Sequence, residues 1–137
     1  MKISVEQLIE DLGYLSDRLS TQVRTIALSV LALIWLFLAG GDQAPHLVQY
    51  PPRWSLLAVA VLALLALAAD HLQYVFGYVS SKRTLDGAEV AGVSETEIEY
   101  RTWPYRLRTG MFWTKQVFAF ASVALLVGAI GAVLLGV

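Results

Sequence analysis

The sequence has few residues whose types and spacing suit chemistry, and the pair nearest to an apolar segment is Asp70 and His71. Ionisable side chains at a membrane are energetically costly, and they mark functional sites by default. Adjacent helical positions point about 100° apart, so these two side chains do not face each other as an acid–base pair. Three roles are open for Asp70: a structural or interfacial pair with a basic loop residue such as Arg106 or Arg108, a polar path in an oligomer, or a proton or ion site.

Other kinds of site are disfavoured. The chain has no Cys and two His, and His46 stands alone in a loop, so we expect no metal site within one chain. The motifs G-x-S-x-G and H-E-x-x-H and the glycine-rich nucleotide loops are absent from the sequence. Ser122 has no His, Lys or Asp within helical reach. We therefore expect neither an enzyme nor a bound cofactor or metal.

A stretch that mixes basic and aromatic residues precedes the last apolar segment. Arg and Lys bind anionic headgroups, and Trp and Tyr prefer the membrane interface, so this composition predicts a juxtamembrane anchor. A surface for a cytosolic protein or a phosphate-bearing ligand is the alternative. Glu95, Glu97 and Glu99 lie close by and would repel phosphates, so nucleic acid is not an expected partner. The candidate headgroup or partner contacts are Arg101, Trp103, Arg106, Arg108, Trp113 and Lys115.

The elements that position these residues are predicted to be membrane helices. Hydrophobic residues make up 57% of the 137 positions and charged residues 15%, against about 45–50% and about 25% in soluble domains. The excess lies in three blocks, and about 20 helical residues cross the hydrocarbon core. We expect an all-α membrane protein with three transmembrane helices in a single domain covering 1–137. The predicted spans are 23–39, 54–79 and 117–137, with an outer loop at 40–53 and a cytoplasmic loop at 80–116.

The long loop contains weaker signals. Asp86-Gly87 predicts a turn. Ser94 with Glu97 predicts a short helix that Trp103-Pro104 would stop. The alternation of residues 95–100 fits a strand nearly as well.

Residues 4–22 read as an amphipathic cytoplasmic helix. Ser4 and Gln7 have the form of a capping box. Acidic residues precede the first span, unlike the basic start of a signal peptide, so that span should stay in the mature protein. No Gly or Pro separates this segment from the span at 23–39, so the helix should continue unbroken into the membrane. An apolar seam with 3-4 spacing favours helix–helix packing over lying on the membrane surface or disorder until bound. Its members are Val5, Leu8, Leu12, Leu15 and Leu19.

The third span carries a stripe of small residues four positions apart. In lipid, such stripes let two helix backbones approach closely. This predicts a helix that is buried or faces an oligomer partner. The stripe consists of Ala124, Gly128, Ala132 and Gly136.

Topology follows from the distribution of Lys and Arg. Three lie in the N-terminal segment (Lys2, Arg18 and Arg24), one in the short loop, six in the long loop and none after residue 115. Positive residues stay on the cytoplasmic side. We expect a multi-pass protein of a bacterial-type inner membrane, with the N-terminus inside and the C-terminus outside.

These features predict a non-catalytic, homo-oligomeric membrane protein that serves as the membrane arm of a larger assembly. Its expected partners are anionic lipid headgroups, further copies of itself and a cytosolic protein. The alternative is a pore-forming or membrane-perturbing effector, toxin-like or of a phage-defence type, triggered from the cytosol. A small ion or drug transporter is the weaker alternative, because Asp70 lies towards one edge of its span instead of the midplane.

Overall fold

Three long helices make up almost all of the described structure. The computed structural model describes residues 5–39, 51–92 and 102–135. Helix α1 runs Val5–Ala39, α2 runs Arg53–Ala91 and α3 runs Trp103–Leu135. Each contains a segment that is long and apolar enough to cross a membrane. The predicted all-α fold with three candidate membrane helices is therefore confirmed.

Helix α1 continues without a break through the junction between the polar segment and the first span. Its 35 residues extend about 52 Å along the axis. The absence of Gly and Pro at this junction predicts this continuity, and the structure shows it.

Helices α2 and α3 are longer than the predicted spans. Residues 80–91 and 103–116, which the sequence pattern places in a loop, are helical. Asp86-Gly87 lies inside α2 instead of forming a turn, and Trp103-Pro104 begins α3 instead of ending a helix. Hydropathy marks where the membrane ends, but a helix can continue into water. Proline fits the first turn, whose N–H groups have no intrahelical acceptor. The short helix or strand predicted around residue 97 lies outside the described residues.

Local hydrogen bonds and one glycine define the ends of these helices. At the start of α2, the Pro52 carbonyl accepts the Ser55 N–H at 2.9 Å and the Ser55 hydroxyl at 2.7 Å. At its end, Gly92 adopts a φ of +65°, a left-handed conformation that closes helix C-termini. At the start of α3, the Thr102 carbonyl accepts the Arg106 N–H at 3.2 Å.

The core is formed by one row of residues from each helix, with the 3-4 spacing of coiled-coil packing. The buried row of α1 is Ser20, Val23, Ala27, Val30 and Ile34. The buried row of α2 is Leu56, Val59, Ala63, Ala66, Asp70, Gln73 and Ser80. The buried row of α3 is Lys115, Ala119, Ser122 and Leu126. The largest interface joins α2 to α3. Small residues such as Ala63 and Ala66 in the buried row of α2 let neighbouring helix backbones approach closely.

Candidate functional site

One polar residue from each helix meets at the same level of the bundle. Lys115 Nζ of α3 lies 2.5 Å from Asp70 Oδ1 of α2. The same ammonium donates a hydrogen bond of 2.5 Å to Ser20 Oγ of α1. The Lys115 side chain is fully buried, and that of Asp70 is 5% exposed. These contacts join all three helices through a single ammonium group.

Arg24 completes this group from the edge of the bundle. Its Nε lies 3.3 Å from Asp70 Oδ2, and its side chain is 44% exposed. Its terminal nitrogen donates to the Tyr74 hydroxyl at 3.2 Å, and the guanidinium lies 5.6 Å from the centre of the Tyr74 ring. We call Ser20, Arg24, Asp70 and Lys115 the ionic cluster. Its single carboxylate faces two cations, one buried and one partly in solvent.

The position of the ionic cluster follows from the helical rows. Asp70 continues the row of Ala63 and Ala66 along α2, and Lys115 begins the row that leads to Ala119 in α3. Ser20 begins the buried row of α1 in the same way. Each charged residue is therefore turned inwards by its helical phase, near the end of an apolar segment. Away from water, such charges need a partner, and here each finds one on a neighbouring helix.

Both oxygens of the Asp70 carboxylate are occupied by cations. This arrangement favours the structural or interfacial role among the three that the sequence leaves open. The partners differ from those suggested by the sequence. Arg106 and Arg108 are about 13 and 10 Å from Lys115 along the axis of α3, towards the N-terminus of that helix, and therefore lie away from Asp70. His71 is exposed on the next position of the helix, turned away from the pair.

Lys115 also differs from its predicted place at the lipid headgroups. It is fully buried and bonded to Asp70 and Ser20, because it lies in phase with the inward-facing residues of α3. The signal for this pairing is present in the sequence. A charged residue stands in line with an apolar row on each of two successive spans, and the two charges are opposite.

The remaining candidate headgroup contacts lie on the exposed side of α3. Arg106, Arg108 and Trp113 are exposed. Trp103 is also exposed, but its ring packs edge-on against Phe76 with centroids 6.2 Å apart. The guanidinium of Arg83 lies 5.2 Å from the centre of the Trp103 ring. Arg101 lies outside the described residues.

The predicted association residues are not part of the core of the single chain. Leu15 and Leu19 are 54% and 39% exposed. Ala124, Gly128 and Ala132 are exposed, and a Cβ added at Gly128 would meet no atom within 4 Å among the described residues. The side chains of Val5, Leu8 and Leu12, and the whole of Gly136, lie outside the described set.

Two buried side-chain atoms beside the ionic cluster have no hydrogen-bond partner in the described part of the chain. They are Gln73 Oε1 on α2 and Gln116 Nε2 on α3. Ser122, by contrast, satisfies its hydroxyl within its own helix by donating to the Ala119 carbonyl at 2.8 Å. Gln73 Oε1 can therefore accept, and Gln116 Nε2 can donate, a hydrogen bond that the described residues do not supply.

Comparison with protein-family models, with curated proteins and with solved structures finds no match to this chain.

Proposed function

We propose that this chain is a non-catalytic, homo-oligomeric protein of a bacterial-type inner membrane, which serves as the membrane arm of a larger assembly and engages a cytosolic protein. The N-terminus lies in the cytoplasm and the C-terminus outside. The parts of the helices beyond the ionic cluster then cross the inner headgroup layer and continue into the cytoplasm. We call these parts, residues 5–19, 74–91 and 103–111, the stalk.

The observation that carries the proposal is that the described residues of both predicted association surfaces are exposed on a chain that already has a core. On α1, the buried row passes through Ser20 and Val23, whereas Leu15 and Leu19 are exposed on a neighbouring face. On α3, the buried row passes through Ala119 and Ser122, whereas Ala124 and Gly128 face outwards. Two separate surfaces with the spacing of helix–helix contacts are therefore free to meet other chains.

The stalk supports a cytosolic partner. From Asp70 to Ala91, α2 extends about 32 Å beyond the ionic cluster, which is more than a headgroup layer requires. Large apolar side chains on it are open to solvent: Tyr14 is 61% exposed, Tyr78 68% and Val90 92%. Exposed apolar surface of this kind is typical of protein interaction sites.

The pore-forming and transporter alternatives gain no support from the described helices. Conduction or exchange through the bundle needs polar groups at membrane depth. The inward rows there are mainly Ala, Val and Leu, and the carboxylate of Asp70 is paired with Lys115 and Arg24. The paired carboxylate fits a protein whose bundle has a structural role and whose outer surfaces bind other chains.

The mass of the protein in nanodiscs tests the oligomer. We expect the wild type to give one defined mass above that of the 15.0 kDa monomer. Gly128→Leu should lower this mass, because a bulky side chain keeps the two backbones apart. Val127→Leu is the matched control, since Val127 is a neighbouring exposed residue outside the stripe. A wild-type monomer, or equal masses for the two variants, would refute the oligomer.

The role of the stalk is tested separately by variants on α1. The double variant Leu15→Lys, Leu19→Lys should abolish co-purification of a soluble protein encoded beside the gene and co-expressed with it. Asp17→Lys introduces a positive charge at an exposed polar position of the same helix outside the seam and should preserve it. Loss of the partner in both variants, or in neither, would contradict a role for the seam.

A further inference from the structure

A cavity of about 490 Å³ opens between α1 and α3, immediately beyond the ionic cluster. Leu15 and Leu19 of α1 form one wall, and Phe112 and Trp113 of α3 form another. Gln73 of α2 and Arg108 of α3 contribute the amide and the positive charge. The volume is in the range of about 300–1,000 Å³ that is usual for small-molecule sites.

The depth of this cavity matches the layers of a lipid leaflet. Taking Trp54 as one membrane interface, Gln73 lies about 28 Å along α2, at the edge of a hydrocarbon core about 30 Å thick. Gly77 lies about 34 Å from Trp54, at headgroup depth. The Arg108 side chain crosses over Gly77, because a Cβ added there would lie 3.6 Å from Arg108 Cδ and Nε. The guanidinium is thus at the level of lipid phosphates, and the aromatic wall is closer to the acyl chains.

The charge at the cavity suits an anion. No carboxylate among the described residues pairs with Arg108, whereas Asp70, one level deeper, is already held by Lys115 and Arg24. Gln73 is 7% exposed, and its Oε1 atom has no hydrogen-bond donor in the described part of the chain. A guanidinium binds a phosphate through two parallel hydrogen bonds.

From this arrangement we infer that the cavity is a specific site for one anionic glycerophospholipid of the surrounding leaflet. Arg108 binds the phosphate, Gln73 Oε1 accepts a hydrogen bond from a hydroxyl of the headgroup, and the acyl chain lies along Leu19, Phe112 and Trp113. The membrane is the source of this ligand because the apolar walls continue into the lipid-facing surface of the helices. Leu15 and Leu19 also belong to the seam proposed to meet other chains. Variants of α3 alone leave that seam unchanged, so they separate the lipid site from the protein contact.

Native mass spectrometry of the full chain tests this site, with phosphatidylglycerol and phosphatidylcholine as competing probes in the micelle. We expect the wild type to retain one phosphatidylglycerol in preference to phosphatidylcholine. Arg108→Gln should reduce this retention about tenfold, since one charged contact is lost. Arg106→Gln is the matched control, because Arg106 is an exposed arginine on the same helix that does not line the cavity. It should leave retention unchanged.

A second variant tests the cavity without altering its charge. Thr109→Trp, at an exposed position on the cavity wall, should fill the space and displace the lipid while Arg108 is kept. Equal loss in Arg108→Gln and Arg106→Gln would show diffuse electrostatic attraction and overturn the inference. So would equal retention of the two lipids, or displacement of phosphatidylglycerol by glycerol 3-phosphate, which would show a site for free phosphates. A change of protein mass in Thr109→Trp with unchanged lipid retention would make the cavity a protein contact instead.

Discussion

Lys115 and Asp70 are 45 positions apart in the sequence, yet the ammonium nitrogen of one lies 2.5 Å from a carboxylate oxygen of the other inside the bundle. The pair fixes the relative height of α2 and α3, because sliding α3 by a turn would leave the Lys115 ammonium without its carboxylate in an apolar interior. Ser20 extends the same constraint to α1. Apolar rows alone would tolerate such a shift more readily, because after it each apolar side chain would still face another apolar side chain.

Breaking the buried pair from one side should strongly destabilise the bundle. Asp70→Asn leaves the fully buried Lys115 ammonium without a carboxylate partner among the described residues, and we expect a loss of about 3–5 kcal/mol in the free energy of unfolding. Denaturant titration in mixed micelles measures it. Arg24→Gln removes the other cation from the same carboxylate. Because that side chain is 44% exposed, we expect a loss below about 1 kcal/mol.

Replacing both members of the pair should restore much of the stability. In the double variant Asp70→Leu, Lys115→Met, no charge is left unpaired, and apolar side chains fill a comparable volume. We expect its free energy of unfolding to lie well above that of Asp70→Asn. A double variant as unstable as the single one would show that the cluster contributes more than charge compensation.

Ser20 and Ser122 are both buried but should respond differently to the loss of their hydroxyl groups. Ser20→Ala removes an acceptor from the Lys115 ammonium, and hydrogen bonds to charged groups contribute about 1.5–3 kcal/mol. Ser122→Ala removes a hydroxyl that bonds only within its own helix, so we expect a loss below about 1 kcal/mol. The same titration compares the two. Similar losses would argue against a specific role for the Ser20 hydroxyl.

The alanine row of α2 should be intolerant of larger side chains. Ala63→Leu or Ala66→Leu inserts bulk at fully buried positions where α2 packs on the neighbouring helices, and overpacking costs about 1–3 kcal/mol. Ala68→Leu makes the same change at an exposed position of the same helix and should be nearly neutral. Thermal unfolding in detergent distinguishes them. A stable Ala63→Leu variant would contradict the close approach of α2 to the neighbouring helices.

The chain has no cysteine, so single-cysteine variants report its orientation without further engineering. We expect Asp17→Cys and Lys82→Cys, both at exposed positions, to react with a membrane-impermeant maleimide in inverted vesicles but not in intact cells. Arg53→Cys should show the opposite pattern, because positive loops stay in the cytoplasm. Labelling of Lys82→Cys in intact cells would reverse the proposed orientation.

Much of the fold is readable from local properties of the sequence. The three helices follow from apolar blocks whose length matches a bilayer, and the unbroken α1 follows from the absence of a breaker after residue 22. The helix ends of α2 and α3 are less readable. Gly87 and Pro104 usually mark turns, but Gly87 lies inside α2 and Pro104 fits the first turn of α3.

The ionic cluster was harder to predict, because it depends on helical phase and on which helices are neighbours. Reading Lys115 together with its sequence neighbours Trp113 and Phe112 suggests a headgroup anchor. Reading it in phase with Ala119 and Ser122 places it in the core. The sequence offers several cations for Asp70, and only the arrangement of all three helices selects Lys115 and Arg24.

The unbroken course of α2 has a mechanical consequence. The helix is one rod that passes from its apolar segment, through the ionic cluster, to Ala91 about 32 Å beyond it. If the cluster acts as the pivot, a change of about 10° in the tilt of the helix, well within the range that transmembrane helices adopt, swings Ala91 sideways by about 5–6 Å. The helix therefore acts as a lever. A small change in bilayer thickness or helix packing moves its C-terminal end by about the length of a side chain.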